Sequence, residues 1–273
     1  MVYELGQIIQ SALIDLELHA QNHLWLIYLF AILILVAISL QILGNYTFWL
    51  PYRSSKLPRI VMLHQVNPDD KASGMNMPPE KFEHLLKYLI NKNSVFCFVS
   101  ELEQYQDQHN VVALSFDDGF LDNYQYAFPL LKKYNIKATI YLATKIKGID
   151  KLEFEQIHEM SASGLIEFGA HTQHHVNLLT LSDEEAYNEM SASKKDVEAL
   201  VGQCLSFAYP FGRFNDKHQQ MAQEIGFMNA VSTRKKVEAY NQNNRFNIPR
   251  VSTHGGMNAV QMRIAMAKGR YKL

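Results

Sequence analysis

The sequence predicts an α/β domain whose mostly parallel sheet is closed, or nearly closed, into a (β/α) barrel, preceded by one transmembrane helix. Three observations lead there. An uncharged apolar run occupies 24–43, short apolar runs alternate with helix-period patterns from residue 60 onward, and polar residues fall repeatedly just past the C-terminal ends of those runs. With 273 residues, 48% of them hydrophobic, the chain holds one large domain plus an appendage. A formal net charge of -1 and the absence of a basic stripe or Arg-rich arm argue against nucleic acid as a partner. The 2 cysteines, Cys97 and Cys204, lie in apolar surroundings without metal-ligand spacing, so buried thiols are expected and no disulfide framework.

Residues 1–23 form an amphipathic segment with Glu4, Asp15 and Glu17 and no Lys or Arg, the wrong sign for a secretory n-region. The run at 24–43 carries no charge, and at about 1.5 Å per residue it spans about 30 Å, the hydrocarbon thickness of a bilayer. Trp25 and Tyr28 at one end, and Tyr46, Phe48, Trp49 and Tyr52 at the other, are placed as interfacial anchors. Cations lie only on the C-terminal flank, at Arg53, Lys56 and Arg59, which by the positive-inside rule puts the main domain on the cytoplasmic side of an inner membrane. Residues 44–58, with Pro51 and Pro58, read as a linker, and 59–273 as the catalytic domain.

Within that domain a strand at 60–63 delivers His64. A helix opens at Pro78-Pro79, with Phe82, Leu85, Leu86 and Leu89 on one face. A strand at 95–99, a short helix begun by the capping box Ser100-x-x-Glu103, and a strand at 111–116 follow. The pattern continues as helix 121–134, strand 137–142, helix 151–162 and strand 165–169. Helix 182–201, opened by Ser182-x-x-Glu185, leads to strand 205–209, helix 216–225 and strand 227–231. An extended piece at 246–251 precedes a last helix at 258–268.

The chemistry is expected at the strand exits. His64 follows IVML, Asp117-Asp118 follow VVALSF, His171 follows LIEFGA, and Pro210–Gly212 follow LSFAY. In a parallel barrel that rim gathers residues distant in sequence. Two adjacent carboxylates at the end of a buried strand repel one another and are partly desolvated, so a cation is their natural partner. His171 and His175, in HTQHH, are spaced to close on one ion if the strand exit begins a helical turn. Asp118, His171 and His175 together make a three-ligand set with open positions, as catalytic metals have.

These motifs resemble the polysaccharide deacetylases, the NodB-homology or carbohydrate esterase 4 family. SFDDG at 115–119 resembles the first motif, HTQHH at 171–175 the His-Ser/Thr-x-x-His motif, and FAYPFG at 207–212 the third, and the likeness runs from about residue 58 to the end. The resemblance implies a distorted seven-stranded barrel, Asp117 as catalytic base, and Asp118, His171 and His175 as ligands of a divalent cation, most often Zn2+. It places the oxyanion donor at the Phe211 N–H, in a turn that Gly212 permits. Tyr209 and Phe211 either stack on a sugar ring or belong to an aromatic core. Many members carry, at the position of Ala208, an arginine that positions the base. Arg250 could supply that cation, or could make a surface salt bridge. The Leu-x-x-His motif that supplies the general acid is not evident, and His64, then His254, then His174 are the candidates for it.

The expected function is a membrane-anchored, metal-dependent hydrolase that removes N-acetyl groups from an amino sugar. A polyprenyl-phosphate-linked sugar used for lipid A or surface glycan is ranked first, and an exopolysaccharide such as poly-N-acetylglucosamine second. A glycan-binding accessory protein without catalysis is the alternative of another class.

Overall fold

The computed structural model describes residues 2–69 and 71–272, with side chains described throughout from residue 24. The side-chain reading of Glu4 and Glu17 lies outside the described residues. The chain forms two compact units that divide between Phe48 and Trp49. The first consists mainly of one helix, α1 (Val2–Asn45). Its segment Leu24–Asn45, 22 residues, is long and apolar enough to cross a membrane, and the large apolar side chains along it are exposed. Past its end the Tyr46 ring stacks on Phe48, with centroids 5.3 Å apart.

The second unit runs in order through β1 (Arg59–Leu63), α2 (Pro79–Ile90), β2 (Val95–Phe96), β3 (Val111–Phe116), α3 (Phe128–Tyr134), β4 (Ala138–Leu142) and α4 (Phe154–Ala162). It continues with β5 (Ile166–Ala170), α5 (Asp183–Val201), β6 (Ser206–Ala208), α6 (Asp216–Glu224), β7 (Asn229–Val231), β8 (Val251–Ser252) and α7 (Ala259–Lys268). All strand pairs are parallel, in the order β7-β6-β5-β4-β3-β1-β8, with the short β2 beside β3. The expected (β/α) architecture is present, with seven strands on the main path. The segment leading into β8 joins the ends of that path. Ile248 bridges to Val231 of β7, and three residues later Val251 pairs with Val61 of β1. β3 and β4 are rich in β-branched and aromatic residues, and both strands are buried along their whole length, as a sheet covered on both sides requires.

Some boundaries differ from the sequence reading for identifiable reasons. The strand expected at 95–99 stops at Phe96, and Val99–Tyr105 forms a 3-10 turn. The Glu101 carboxylate, not that of Glu103, accepts the Phe98 amide at 3.0 Å, while the Ser100 hydroxyl is taken by Glu167. The helix expected at 121–134 opens as a π turn, Asn123–Ala127, before α3. Pro129, without an amide, cannot donate back to residue 125 and so breaks the α register. The helix expected from 151 begins at Phe154, because Lys151 is bridged to Phe120.

Alternating residues of the strands fill the barrel axis. Thr139 and Ser100 donate to the buried Glu167, and the Tyr141 ring of β4 passes over Gly169 of β5, its hydroxyl 3.2 Å from that of Ser206 of β6. Gly169 makes that position available. A Cβ there would stand 2.6 Å from the Tyr141 ring and 2.7 Å from the Ser206 carbonyl oxygen. Gly169→Ala is therefore expected to lower stability by about 1–3 kcal/mol through overpacking, read as a lower urea midpoint with unchanged slope. A neutral substitution would show that the ring is not fixed by this contact.

Candidate active site

β3 ends by delivering Asp117 and Asp118 into different environments. Asp117 shares a strand face with Ser115 and continues the interior column. Its two carboxylate oxygens accept from Nη1 and Nη2 of Arg250 at 2.6 and 2.7 Å, a bidentate pair that is almost wholly buried. Arg250 is itself fixed, donating from Nε to the Ser232 carbonyl at 3.0 Å and from Nη1 to the Ser115 hydroxyl at 3.1 Å. Ser115 donates its own hydroxyl hydrogen bond to the Val61 carbonyl at 2.7 Å. Burial pushes Asp117 toward the neutral acid, but the guanidinium beside it outweighs burial and holds the carboxyl well below the usual range.

Asp118 turns the other way, at φ 74, and Gly119 follows at φ 74. A Cβ on Gly119 would meet Leu142 Cδ2 at 2.6 Å. Asp118 Oδ1 lies 3.5 Å from His171 Nε2 and 3.3 Å from His175 Nε2, and the three ligand atoms fall within 4.8 Å of one another. Burial and the charge of Asp117 push Asp118 up to about 6, and burial pulls His171 down to about 3. His175 is lowered as well, chiefly by burial. The neutral imidazoles suit a ligand role. The His171 Nδ1 proton is directed at the Ala208 carbonyl, 2.6 Å away, which leaves the Nε2 lone pair for an ion. Asp118 Oδ1 is buried without a hydrogen-bond partner, and a cation would satisfy it. On both counts the donor set fits a divalent metal.

The turn carrying His175 is not the helical one on which its spacing depended. Thr172 and His175 adopt left-handed conformations at φ 59 and 53, and these reversals bring the two imidazoles together, ring centroids 4.9 Å apart. α5 holds the loop in place. Glu189 accepts the Gln173 and His174 amides at 3.0 and 3.1 Å, and Asp196 accepts from the Gln173 side chain at 2.7 Å.

The loop after β6 separates the aromatic pair. Tyr209 is fully buried, its hydroxyl 3.1 Å from the Phe246 carbonyl and its ring stacked on Phe214 at 4.0 Å, so its suggested stacking against a sugar is corrected to a core role. Phe211 is 57% exposed, packs against the His175 ring at 4.5 Å and has φ 58. Pro210 and Gly212 complete the turn, and a Cβ on Gly212 would collide with the Thr233 side chain.

Of the acid candidates, His64 stands with Nε2 3.9 Å from Asp117 Oδ2, and its carbonyl is held by the Asn123 side chain at 2.8 Å. His254 lies two residues past β8, its Nε2 3.2 Å from the Tyr271 hydroxyl. His174 is turned outward onto Glu189 at 2.7 Å. A cavity of about 570 Å³ opens beside Asp118, walled by Leu121, Leu142, Leu152 and Phe154. The sequence reading missed Ser115, Asn123, Glu189 and Asp196. The two-residue strand period pairs Ser115 with Asp117, and the seven-residue spacing puts Glu189 and Asp196 on one helix face, so both signals were present.

Residues 104–230 match the polysaccharide deacetylase family. The Bacillus subtilis protein YxkH, named as a polysaccharide deacetylase, is 34% identical over 188 residues, 66% of each chain and so just under two thirds of its length. The Staphylococcus aureus poly-beta-1,6-N-acetyl-D-glucosamine N-deacetylase is 27% identical over 190 residues, 63% of this chain and 65% of that protein. Among solved structures, the Streptococcus pyogenes deacetylase PplD in complex with acetate superposes with a TM-score of 0.69 at 25% identity, over 78% of this chain and 98% of that one.

Removing one partner of the Arg250–Asp117 pair leaves a buried charge unanswered. Arg250→Met is expected to cost about 3–5 kcal/mol, and Arg250→Met with Asp117→Asn to recover most of it. Urea unfolding of the two variants tests this, and a double variant no more stable than the single would refute the pairing.

Proposed function

On the premise that this chain carries a polysaccharide deacetylase domain, we propose that it is a metal-dependent hydrolase that removes N-acetyl groups from a polymer of N-acetylated amino sugar, anchored in a membrane by Leu24–Asn45. The observation that carries this reading is the pairing of an ionised, arginine-held carboxylate with an adjacent Asp-His-His cluster whose buried oxygen lacks a partner. Asp118, His171 and His175 would hold a divalent cation, which would supply Lewis acidity and make water at the site more acidic, as a carboxylate as weakly basic as Asp117 requires. Asp117 takes the proton of the attacking water as the water oxygen bonds to the amide carbon. The Phe211 N–H stabilises the oxyanion that develops, and the left-handed turn at 211–212 aims it. His64 then gives a proton to the departing amine as the carbon–nitrogen bond breaks, releasing acetate and the free amino sugar. The Phe211 ring, exposed beside His175, offers a face for the sugar.

The accessory-protein alternative drew on the missing arginine at Ala208 and on the missing Leu-x-x-His motif. A guanidinium reaches Asp117 from Arg250 instead, which removes the first of these motives. The polymer substrate is favoured by the name of the Staphylococcus aureus relative. A second reading, a lipid-linked sugar met by a cytoplasmic domain, draws on the exposed cations Arg53 and Lys56 that follow the apolar helix.

Asp117→Asn is expected to lower kcat by about 10²–10⁴-fold while the bound metal, measured by elemental analysis, stays at the wild-type level. Chelation should abolish acetate release from an N-acetylated oligosaccharide, and added divalent cation should restore it. Turnover that survives metal removal would sink the proposal. A reporter fused after Leu273 should be active only outside the cytoplasm if the polymer reading holds, and activity inside would transfer support to the lipid-linked sugar.

A further inference from the structure

The chain enters the catalytic unit at the end of the barrel opposite the rim, and it is fastened there. Arg59, only 9% exposed, donates from Nη1 to the Ser54 and Leu57 carbonyls at 2.8 and 2.6 Å, from Nη2 to that of Arg53 at 3.0 Å, and from Nε to that of Met266 at 3.1 Å. The Arg53 amide donates to the Ala267 carbonyl at 2.9 Å. The Ser55 carbonyl accepts the Asn110 amide at 2.7 Å, and its hydroxyl meets His109 Nδ1 at 2.8 Å. The stretch read as a linker at 44–58 is thus, from Trp49 on, a strap belonging to the compact unit. Every attachment lies at the strand-entry end, since Arg59 opens β1, Asn110 precedes β3, and α7 terminates at Lys268. Asp117, Asp118, His171 and His175 follow the other ends of these or neighbouring strands. The length of β3, six residues, separates the two ends by about 20 Å at ~3.3 Å per residue.

The outer side of the strap has a distinct composition. Tyr52 is 80% exposed and Trp49 48%, and Arg53 and Lys56, which follow them, are exposed as well. The Lys268 ammonium lies 4.8 Å over the Tyr52 ring, and the adjoining turn at 106–110 contributes one acid, Asp107. Exposed aromatic rings followed by exposed cations, on a backbone already ordered by hydrogen bonds, match the interface of a bilayer with anionic headgroups. The apolar segment ends at Asn45, four residues before Trp49, so the strap is within reach of such a surface.

We propose that the strand-entry face of the barrel, through Trp49, Tyr52, Arg53 and Lys56, docks on anionic phospholipid, so that the catalytic rim opens away from the bilayer. Resting on the anchored N-deacetylase reading, this favours a glycan polymer that extends beyond the headgroups over a sugar carried directly on a lipid phosphate.

The full chain in nanodiscs of anionic phospholipid tests it. Spin labels at Ser54→Cys, on the strap, and Glu184→Cys, exposed in the first turn of α5 on the rim side, are read against lipids bearing chelated nickel. The native Cys97 and Cys204 are buried and leave the labels unambiguous. Strong relaxation at 54 and its loss at 184 are expected, and equal relaxation would overturn the orientation. In the same nanodiscs, N-acetylhexosamine is offered on lipid directly and through a stiff oligoproline spacer of about 30 Å, at ~3.1 Å per residue. The spaced substrate should turn over about a hundredfold faster, because the unspaced one cannot reach near-attack geometry, and equal rates would overturn the substrate assignment. If neither is hydrolysed and a soluble oligosaccharide is also refused, the N-deacetylase reading fails, while the label pattern still decides the docking.

Discussion

The structure depends on one buried ion pair, Arg250 with Asp117, set on the axis of the barrel just below its rim. Taking a guanidinium and a carboxylate out of water is costly, and such a pair persists when good geometry is joined by further hydrogen bonds. The Ser232 carbonyl and the Ser115 hydroxyl supply them to Nε and Nη1, and Ser115 in turn is fixed to Val61. Three strands and the segment entering β8 are thereby tied to one polar centre. Beneath it Tyr141, admitted by Gly169, supports the guanidinium from 5.9 Å. The barrel interior is therefore a stack in which each layer sets the position of the next.

Above the pair the chain departs from ordinary backbone geometry. Asp118, Thr172, His175 and Phe211 all have positive φ, at 74, 59, 53 and 58, although none of them is glycine. Each such residue costs roughly 1–3 kcal/mol and persists where its surroundings over-determine it. Here the reversals aim three donor atoms at one point and expose one aromatic ring beside them. The neighbouring carboxylates end up with opposite electrostatics. Arg250 keeps Asp117 ionised, whereas burial and the charge of Asp117 leave Asp118 in need of a cation. Two identical residues side by side in sequence thus acquire different chemical capacities.

The legible part of the candidate site was which residues the fold would bring near one another. Asp117, Asp118, His64, His171 and His175 stood at strand exits in the sequence, and the alternation of runs implied a parallel barrel that would collect them. How they are collected was not legible. The spacing of His171 and His175 suggested a helical turn, and the chain uses two left-handed residues instead. Tyr209 and Phe211, two apart and alike in character, divide between core and surface because only the former faces Phe246 and Phe214. The capping box at Ser100 was displaced because the buried Glu167 competes for that hydroxyl. Propensity and spacing are local, and each of these outcomes was decided by a partner distant in the chain.

The amino-acid sequence by itself determined the apolar helix, the βα rhythm, the carboxylate pair and the two histidines, because these follow from periodicity, length and residue chemistry within a few positions. Only the tertiary structure decided that Arg250, a residue 133 positions from Asp117, serves in place of an arginine at Ala208, and that the stretch from Trp49 on is bound to the barrel. The physical reason is common to both. A guanidinium is directional but long, so it can serve any acceptor the fold brings within its reach, and which acceptors those are is settled by barrel closure, not by neighbours in sequence.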